Sequence, residues 1–86
     1  MKKIAFLPQA FNDYNDWLKI DKKTHEKIQD LIKETLRTPF TGKGKPEPLN
    51  HQLNGLWSRR ITEEHRLVYQ VSDDEIVIIS CRFNYQ

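Results

Sequence analysis

The spacing of apolar residues changes from helical to strand-like along this chain. A short apolar run over residues 3–7 predicts a first strand, and Pro8 has the fixed φ of the first turn of a helix. Apolar residues then recur three and four positions apart, which predicts a helix with one apolar stripe. The members of this stripe are Ala10, Phe11, Tyr14, Trp17 and Leu18. We expect the stripe to pack in the core rather than to line a cofactor site.

A second helix is predicted to follow after a short link. Asp21 is suited to its N-cap, and the helix should end before Thr38-Pro39, because proline disfavours helical geometry in the residue before it. The apolar stripe of this helix consists of Ile28, Leu31, Ile32 and either Thr35 or Leu36. His25 is assigned to its charged face. Two helices joined by so short a link are expected to form an antiparallel pair.

The second half of the chain carries strand-like runs. Residues 40–55 are rich in Gly, Pro, Lys and Asn and lack periodicity, which predicts one long surface connection. Strands are then predicted over residues 57–61, 66–71 and 75–82, with Ser72-Asp73-Asp74 as the last turn. The order strand, helix, helix and three-stranded meander indicates an α+β fold, with both helices packed on one face of a mainly antiparallel sheet.

Length and composition limit the domain organisation and the compartment. The 86 residues, 37% of them hydrophobic, suffice for one domain over residues 1–86 and are too few for two independent cores. Cys81 is the only cysteine, which excludes an internal disulfide and favours a reducing compartment. No apolar run approaches the roughly 20 residues that span a bilayer, and Pro8 interrupts the N-terminal segment before a signal-peptide core develops. The chain is therefore expected to be soluble and cytoplasmic.

Positive charge is concentrated in one segment. The net charge is only +2, but residues 37–60 contain five basic residues and one acid, a balance of 5 − 1 = +4. Clustered Lys and Arg suit a polyanion such as nucleic acid, although a solvated basic loop is the alternative. The five basic residues are Arg37, Lys43, Lys45, Arg59 and Arg60.

The histidines do not predict a metal site. His25, His51 and His65 lack the spacing of metal ligands, and no cofactor-binding motif is present, so no cofactor is expected. His51 lies in the basic segment, where it could contact phosphate or only solvent.

Some of these residues have the chemistry to cleave RNA through its own 2′-hydroxyl. That reaction needs a base for the hydroxyl proton, a cation for the phosphorane charge and an acid for the leaving 5′-oxygen. Glu47 is a carboxylate held between two prolines in the basic segment. Arg59, Arg60 and Arg66 fall on neighbouring predicted strands, where guanidinium groups can form a phosphate-binding wall. The glutamates at 63–64 could instead neutralise two of these arginines.

Two motifs resemble the YoeB-type toxins of the RelE superfamily. One is Pro-Phe-Thr-Gly-Lys-Gly-Lys-Pro-Glu-Pro-Leu at residues 39–49, and the other is Trp-Ser-Arg-Arg-Ile-Thr-Glu-Glu-His-Arg-Leu-Val-Tyr at residues 57–69. The resemblance covers nearly the whole chain, including Asp21-Lys22-Lys23 and the ending Arg82-Phe83-Asn84-Tyr85. It implies a RelE-like fold and a metal-independent mRNA endonuclease that cuts message in the ribosomal 30S A site. It also implies a YefM-type antitoxin that covers the site with an acidic segment, and it is compatible with a homodimer.

The resemblance assigns roles by motif. Glu47 would be the general base, Arg66 would stabilise the transition-state charge, and Tyr85 would be a C-terminal active-site residue. The residues expected to bind RNA, whether message or ribosomal, are Lys43, Lys45, His51, Arg59 and Arg60.

The chain departs from the family pattern at Asn84. Family members commonly have a histidine there that protonates the leaving group, and asparagine lacks a titratable proton, although it can still hydrogen-bond a phosphate oxygen. Tyr85 could act as the acid, or the proton could come from the ribosome or from His51. Otherwise the activity is weakened, since losing a positioned proton donor costs about 10² to 10⁴ in rate. Asn50 also replaces a lysine found in some relatives.

Two other functions share the same basic surface. One is a module that binds the ribosome or the antitoxin and represses translation or transcription without cutting. The other is a single-strand RNA binder that stacks bases on Trp57 and Tyr69, although both rings are expected in the core.

Overall fold

The structure, a computed structural model, describes residues 2–49 and 55–83. Asn50, His51, Asn84 and Tyr85, which were singled out above, lie outside the described residues. In chain order the described elements are β1 (Lys3–Phe6), α1 (Pro8–Ile20), α2 (Lys22–Arg37), β2 (Glu47–Pro48), β3 (Leu56–Arg60), β4 (Arg66–Val71) and β5 (Glu75–Ser80).

The strands form one sheet in the order β1-β5-β4-β3-β2. The predicted meander is confirmed, because β3, β4 and β5 are successive antiparallel neighbours. β1 pairs with β5 in parallel, and this is the one parallel pair among the strands described. The prediction of a mainly antiparallel α+β fold is therefore confirmed.

The predicted connection over residues 40–55 is wrong in one respect. Glu47–Pro48 forms the short strand β2, which pairs with Ser58 and Trp57 of β3. A two-residue strand has no detectable periodicity, and it forms because β3 offers an open edge of backbone donors and acceptors.

Local signals set the helix boundaries as predicted. Pro8 is the first residue of α1, and the Asp21 side chain caps α2 by accepting a hydrogen bond of 3.1 Å from the Lys23 N–H. α2 ends at Arg37, immediately before Thr38-Pro39. Neither of these two helices is long and apolar enough to cross a membrane.

The predicted stripe of α1 is only partly correct. Ala10 and Trp17 are buried, but Phe11 and Leu18 are 53% and 49% exposed, so their assignment to the core is wrong. α1 packs through the line Ala10, Asp13 and Trp17, and each misassigned residue lies one position further along the helix, about 100° around its axis.

The predicted stripe of α2 is confirmed, and a histidine joins it. Ile28, Leu31, Ile32 and Thr35 are buried. His25 is only 7% exposed and stacks on Tyr14 of α1 with 4.5 Å between ring centres, so its placement on the charged face is wrong. The hydrophobic core lies between these helices and one face of the sheet, which contributes Leu67, Tyr69, Ile76 and Ile78.

Candidate functional site

Three of the predicted site residues share the sheet face that points away from the core. Glu47 pairs with Ser58, and Arg60 pairs with Arg66. Paired residues project to the same face, and so do residues two apart on one strand. Glu47, Arg60 and Arg66 therefore project together, whereas Leu67 projects into the core with its partner on β3.

The register also gives the separation of the proposed base from the proposed charge stabiliser. Glu47 and Arg66 lie two strands apart and two residues apart along the strands. With a strand spacing of about 4.8 Å and a rise of about 3.3 Å per residue, their Cα atoms are roughly 12 Å apart. Two long side chains that extend from such positions can flank one phosphodiester group.

Arg66 is held in position by the β3–β4 turn. Its Nη1 donates to the carbonyl oxygens of Thr62 at 2.8 Å, His65 at 3.0 Å and Glu63 at 3.2 Å. These contacts use one end of a group that has five N–H donors. The guanidinium is thereby oriented by carbonyl oxygens and has no salt bridge to an acid within the described part of the chain, which suits a cation that must meet a phosphate.

The acids of that turn do not neutralise the arginines. Among the described residues, neither Glu63 nor Glu64 forms a salt bridge with Arg59, Arg60 or Arg66. Glu64 instead approaches Nε2 of His65 at 3.8 Å.

The prediction that Arg59 binds RNA is wrong, because its side chain is fully buried. Its Nη1 donates to the Lys43 carbonyl at 2.7 Å, its Nη2 to the Thr38 carbonyl, and its Nε to the Tyr69 hydroxyl at 3.2 Å. Arg59 projects to the helix side of the sheet, where it fastens the loop that follows α2.

Tyr69 completes this anchor. Its hydroxyl donates to the Pro39 carbonyl at 2.7 Å. Burial raises the pKa of Tyr69, against the opposing effect of Arg59, so the hydroxyl stays protonated as a donor. A buried Tyr69 cannot stack on an RNA base, whereas Trp57 is only half-buried and packs against the ring of Phe40 with 4.8 Å between ring centres.

Glu34 holds the same loop from the helix side. Its Oε2 accepts from the Lys43 N–H at 3.1 Å, and its Oε1 accepts from Arg37 at 2.7 Å. The hydrogen bond from Arg37, followed by the one from Lys43, lowers the pKa of the Glu34 carboxyl. Glu34 is not among the residues predicted from the sequence. The sequence signal for Glu34 was its spacing, since an acid three positions after Leu31 lies near the buried stripe of α2 and, three positions before Arg37, lies within reach of that arginine.

The lysines of this loop lie at the edge of a cavity. The Arg60 N–H donates to the Gly44 carbonyl at 2.7 Å, which ties the loop to β3. Lys43 and Lys45 are exposed on either side of that glycine. An open cavity of about 420 Å³ lies between this segment and α2. Its lining includes Lys27, Asp30, Leu31, Lys43, Gly44, Lys45 and Arg60. The cavity lining thus includes three of the predicted RNA-binding residues, with the Arg60 backbone bound to the loop and its side chain assigned by the register to the face of Glu47 and Arg66.

The end of the described chain lies beside Arg66. The Phe83 carbonyl accepts from the Arg66 N–H at 3.1 Å, and the Trp17 ring donates to the Cys81 carbonyl at 3.0 Å. The sequence continues from Phe83 into Asn84 and Tyr85. Within residues 2–49 and 55–83, no three His, Cys, Asp or Glu side chains are grouped so that they could hold a metal ion.

The fold is that of a small bacterial toxin, as comparisons with known proteins show. The family described as YoeB-like toxin of bacterial type II toxin-antitoxin system matches residues 6–85. Toxin YoeB of Escherichia coli K12 is 57% identical over 83 residues, which are 96% of this chain and 99% of that protein. The chain therefore belongs to the YoeB-like toxin family.

Solved structures agree with this assignment. The YoeB dimer from Staphylococcus aureus is 48% identical, with a TM-score of 0.90 and coverage of 98% of both chains. The heterotetrameric YoeB-YefM toxin-antitoxin complex from the same organism is 48% identical, with a TM-score of 0.86 and coverage of 99% of both chains. The RelE-like fold predicted from the sequence is confirmed.

Proposed function

We propose that this toxin is a ribosome-dependent endoribonuclease that cuts mRNA in the 30S A site by attack of the 2′-hydroxyl on the adjacent phosphate. The observation that carries the proposal is the placement of Glu47, Arg60 and Arg66 on one face of the sheet. A carboxylate and two guanidinium groups on one surface supply a base and fixed positive charge, which are two of the three requirements of the reaction.

Each residue has a role in the proposed reaction. Glu47 takes the proton of the 2′-hydroxyl, and Arg66, oriented by the turn carbonyls, stabilises the charge that builds up on the phosphorane. Tyr85 protonates the leaving 5′-oxygen, since a tyrosine with a reference pKa of about 10 carries its proton at neutral pH. Asn84 hydrogen-bonds a phosphate oxygen or the leaving group. No step in this scheme uses a metal or a cofactor.

RNA is held by the basic surface around the cavity. Lys43, Lys45 and Arg60 are exposed and contact phosphates of the message or of ribosomal RNA, and His51 belongs to the same set by motif. Arg59 is excluded from the set by its burial. Because phosphate contacts release counterions, ribosome binding should weaken steeply as the salt concentration rises.

A YefM-type antitoxin is the proposed regulator. The S. aureus YoeB structures include a dimer and a YoeB-YefM heterotetramer. We extend both assemblies to this chain, because a surface that binds RNA phosphates also attracts a carboxylate-rich peptide. The proposal places the toxin in the cytoplasm, where ribosomes and antitoxin are found, with residues 1–86 acting as one domain.

The Glu47→Gln variant tests the proposal. Programmed ribosomes are incubated with the toxin, and primer extension detects new 5′ ends in the message. Loss of the base should lower the cleavage rate about 10²- to 10⁴-fold, while ribosome binding stays near its original level. Glu26→Gln, which makes the same change at an exposed position on α2, is the matched control and should cleave normally.

Two results would count against this function. If the unmodified toxin blocked the A site and left the message whole, the protein would be a non-cleaving repressor of translation. If Glu47→Gln cut as fast as Glu26→Gln, Glu47 would not be the base. Asn84→His then measures what the family's histidine contributes, and an unchanged rate would show that no proton donor is missing.

A further inference from the structure

Phe83, the last described residue, has an unusual backbone conformation. Its φ is +60°, in the left-handed region that residues other than glycine rarely adopt. Such a conformation persists only where the surrounding structure imposes it, and such residues cluster at functional sites. Phe83 immediately precedes Asn84 and Tyr85, to which the proposed function assigns roles in phosphate contact and protonation.

The backbone of Phe83 is bound by a histidine and by the residue that follows it. Nδ1 of His65 accepts a hydrogen bond of 2.7 Å from the Phe83 N–H, and Arg66, the next residue, donates its own N–H to the Phe83 carbonyl at 3.1 Å. Both polar groups of the Phe83 backbone are thus bound to adjacent residues at the start of β4. An acceptor at Nδ1 requires a neutral ring with its proton on Nε2, the nitrogen that faces Glu64 at 3.8 Å.

The His65 ring is itself fixed by aromatic neighbours. It meets Trp17 edge-to-face with 4.9 Å between ring centres, and it lies 5.2 Å from the ring of Phe83. Arg82 lies over both of these rings, 5.7 Å from the centre of Trp17 and 5.1 Å from that of Phe83. The acceptor nitrogen therefore has little freedom to move away from the Phe83 N–H.

We propose that His65 is a positioning residue of the nuclease: it fixes the backbone of Phe83 against Arg66, at the point in the sequence from which Asn84 and Tyr85 follow. The inference rests on the proposed function, since it concerns how the predicted acid reaches the site. His65 acts through Phe83 and does not contact the RNA.

Three substitutions at His65 distinguish the role of the Nδ1 acceptor from that of the rest of the imidazole ring. Asparagine can present its Oδ1 near the position of Nδ1, whereas glutamine places its amide near Nε2, and alanine removes both. We expect the Phe83 amide to exchange with solvent faster in His65→Ala and His65→Gln, and protection to return in His65→Asn. Thermal melts identify any variant that does not fold. If His65→Ala fails to fold, the asparagine and glutamine variants carry the test.

Cleavage supplies the second measurement. In single-turnover reactions on programmed ribosomes, His65→Ala and His65→Gln should lower the rate constant roughly 10- to 100-fold, the effect expected of a misplaced catalytic group. The concentration of ribosomes at half-maximal rate should be unchanged, and His65→Asn should recover most of the rate.

Equal recovery by asparagine and glutamine would overturn the proposal, as would full activity or full Phe83 protection in His65→Ala. Failure of the underlying function looks different. In that case Glu47→Gln would leave the cleavage activity unchanged, whereas failure of the positioning role alone leaves Glu47→Gln inactive and His65→Ala active.

Discussion

Replacing Arg59 with alanine should destabilise the fold far more than the same change at its neighbour Arg60. Arg59 is fully buried and donates hydrogen bonds to the carbonyls of Thr38 and Lys43 and to the Tyr69 hydroxyl. Arg60 is exposed and lies opposite another arginine across the β3–β4 pair. The two residues are adjacent in sequence and chemically identical, so each is the control for the other.

The magnitude follows from the acceptors that lose their partner. A buried polar group left without a hydrogen bond costs about 1–3 kcal/mol, and Arg59→Ala exposes two carbonyls to that loss. The hydrogen bonds to both carbonyls are only part-buried, so the lower half of the range applies, about 2–4 kcal/mol in total. A small domain is stabilised by only about 5–15 kcal/mol. At about 4–8 °C per kcal/mol, the melting temperature should fall by roughly 8–32 °C.

Thermal unfolding followed by circular dichroism measures this difference directly. Arg60→Ala should change the free energy of unfolding by no more than about 0.5 kcal/mol, since removing one of two opposed like charges costs nothing. Its effect should appear in weaker ribosome binding instead. A melting temperature for Arg59→Ala close to that of Arg60→Ala would refute the view that Arg59 anchors the loop.

The remaining predictions concern the loop and the core. The pKa of Glu34 is lower in the folded protein than its ordinary value of 4.5, so the stabilisation by its charge is complete above pH 4.5 and is lost as the pH falls through the lowered pKa. The free energy of unfolding should therefore exceed that of Glu34→Gln by less in acid than at neutral pH. A difference that does not depend on pH would contradict this. Gly42→Ala should destabilise the folded protein by more than about 1 kcal/mol, because the φ of Gly42 is +100° and the new methyl group would overlap the Glu34 carboxylate. A wild-type melting temperature would show that the loop can move aside. Burial raises the pKa of Cys81 to about 12, so a thiol reagent should label the native protein only as fast as the protein opens, and immediate labelling without denaturant would exclude this burial.

Local chemistry in the sequence accounts for the predictions that succeeded. Pro8 begins α1 and Asp21 caps α2 because a fixed φ and a short acidic side chain act on the nearest backbone groups, whatever the rest of the chain does. The strand order of the meander follows from short turns between runs of apolar residues. The motifs at residues 39–49 and 57–69 likewise indicate the family.

Tertiary structure decided which side of the sheet each charged residue occupies. Arg59 and Arg60 cannot be told apart from the sequence alone, but the pleat of β3 directs Arg59 toward the core and Arg60 toward solvent. The same alternation, together with the pairing of β2 with β3, places Glu47 on the face of Arg66. Register depends on pairing between distant segments, and a shift of one residue would reverse every face. The sequence by itself determined the two helices, the strands of the meander and the chemistry available, and only the pairing of strands created β2 and decided which of those groups could meet.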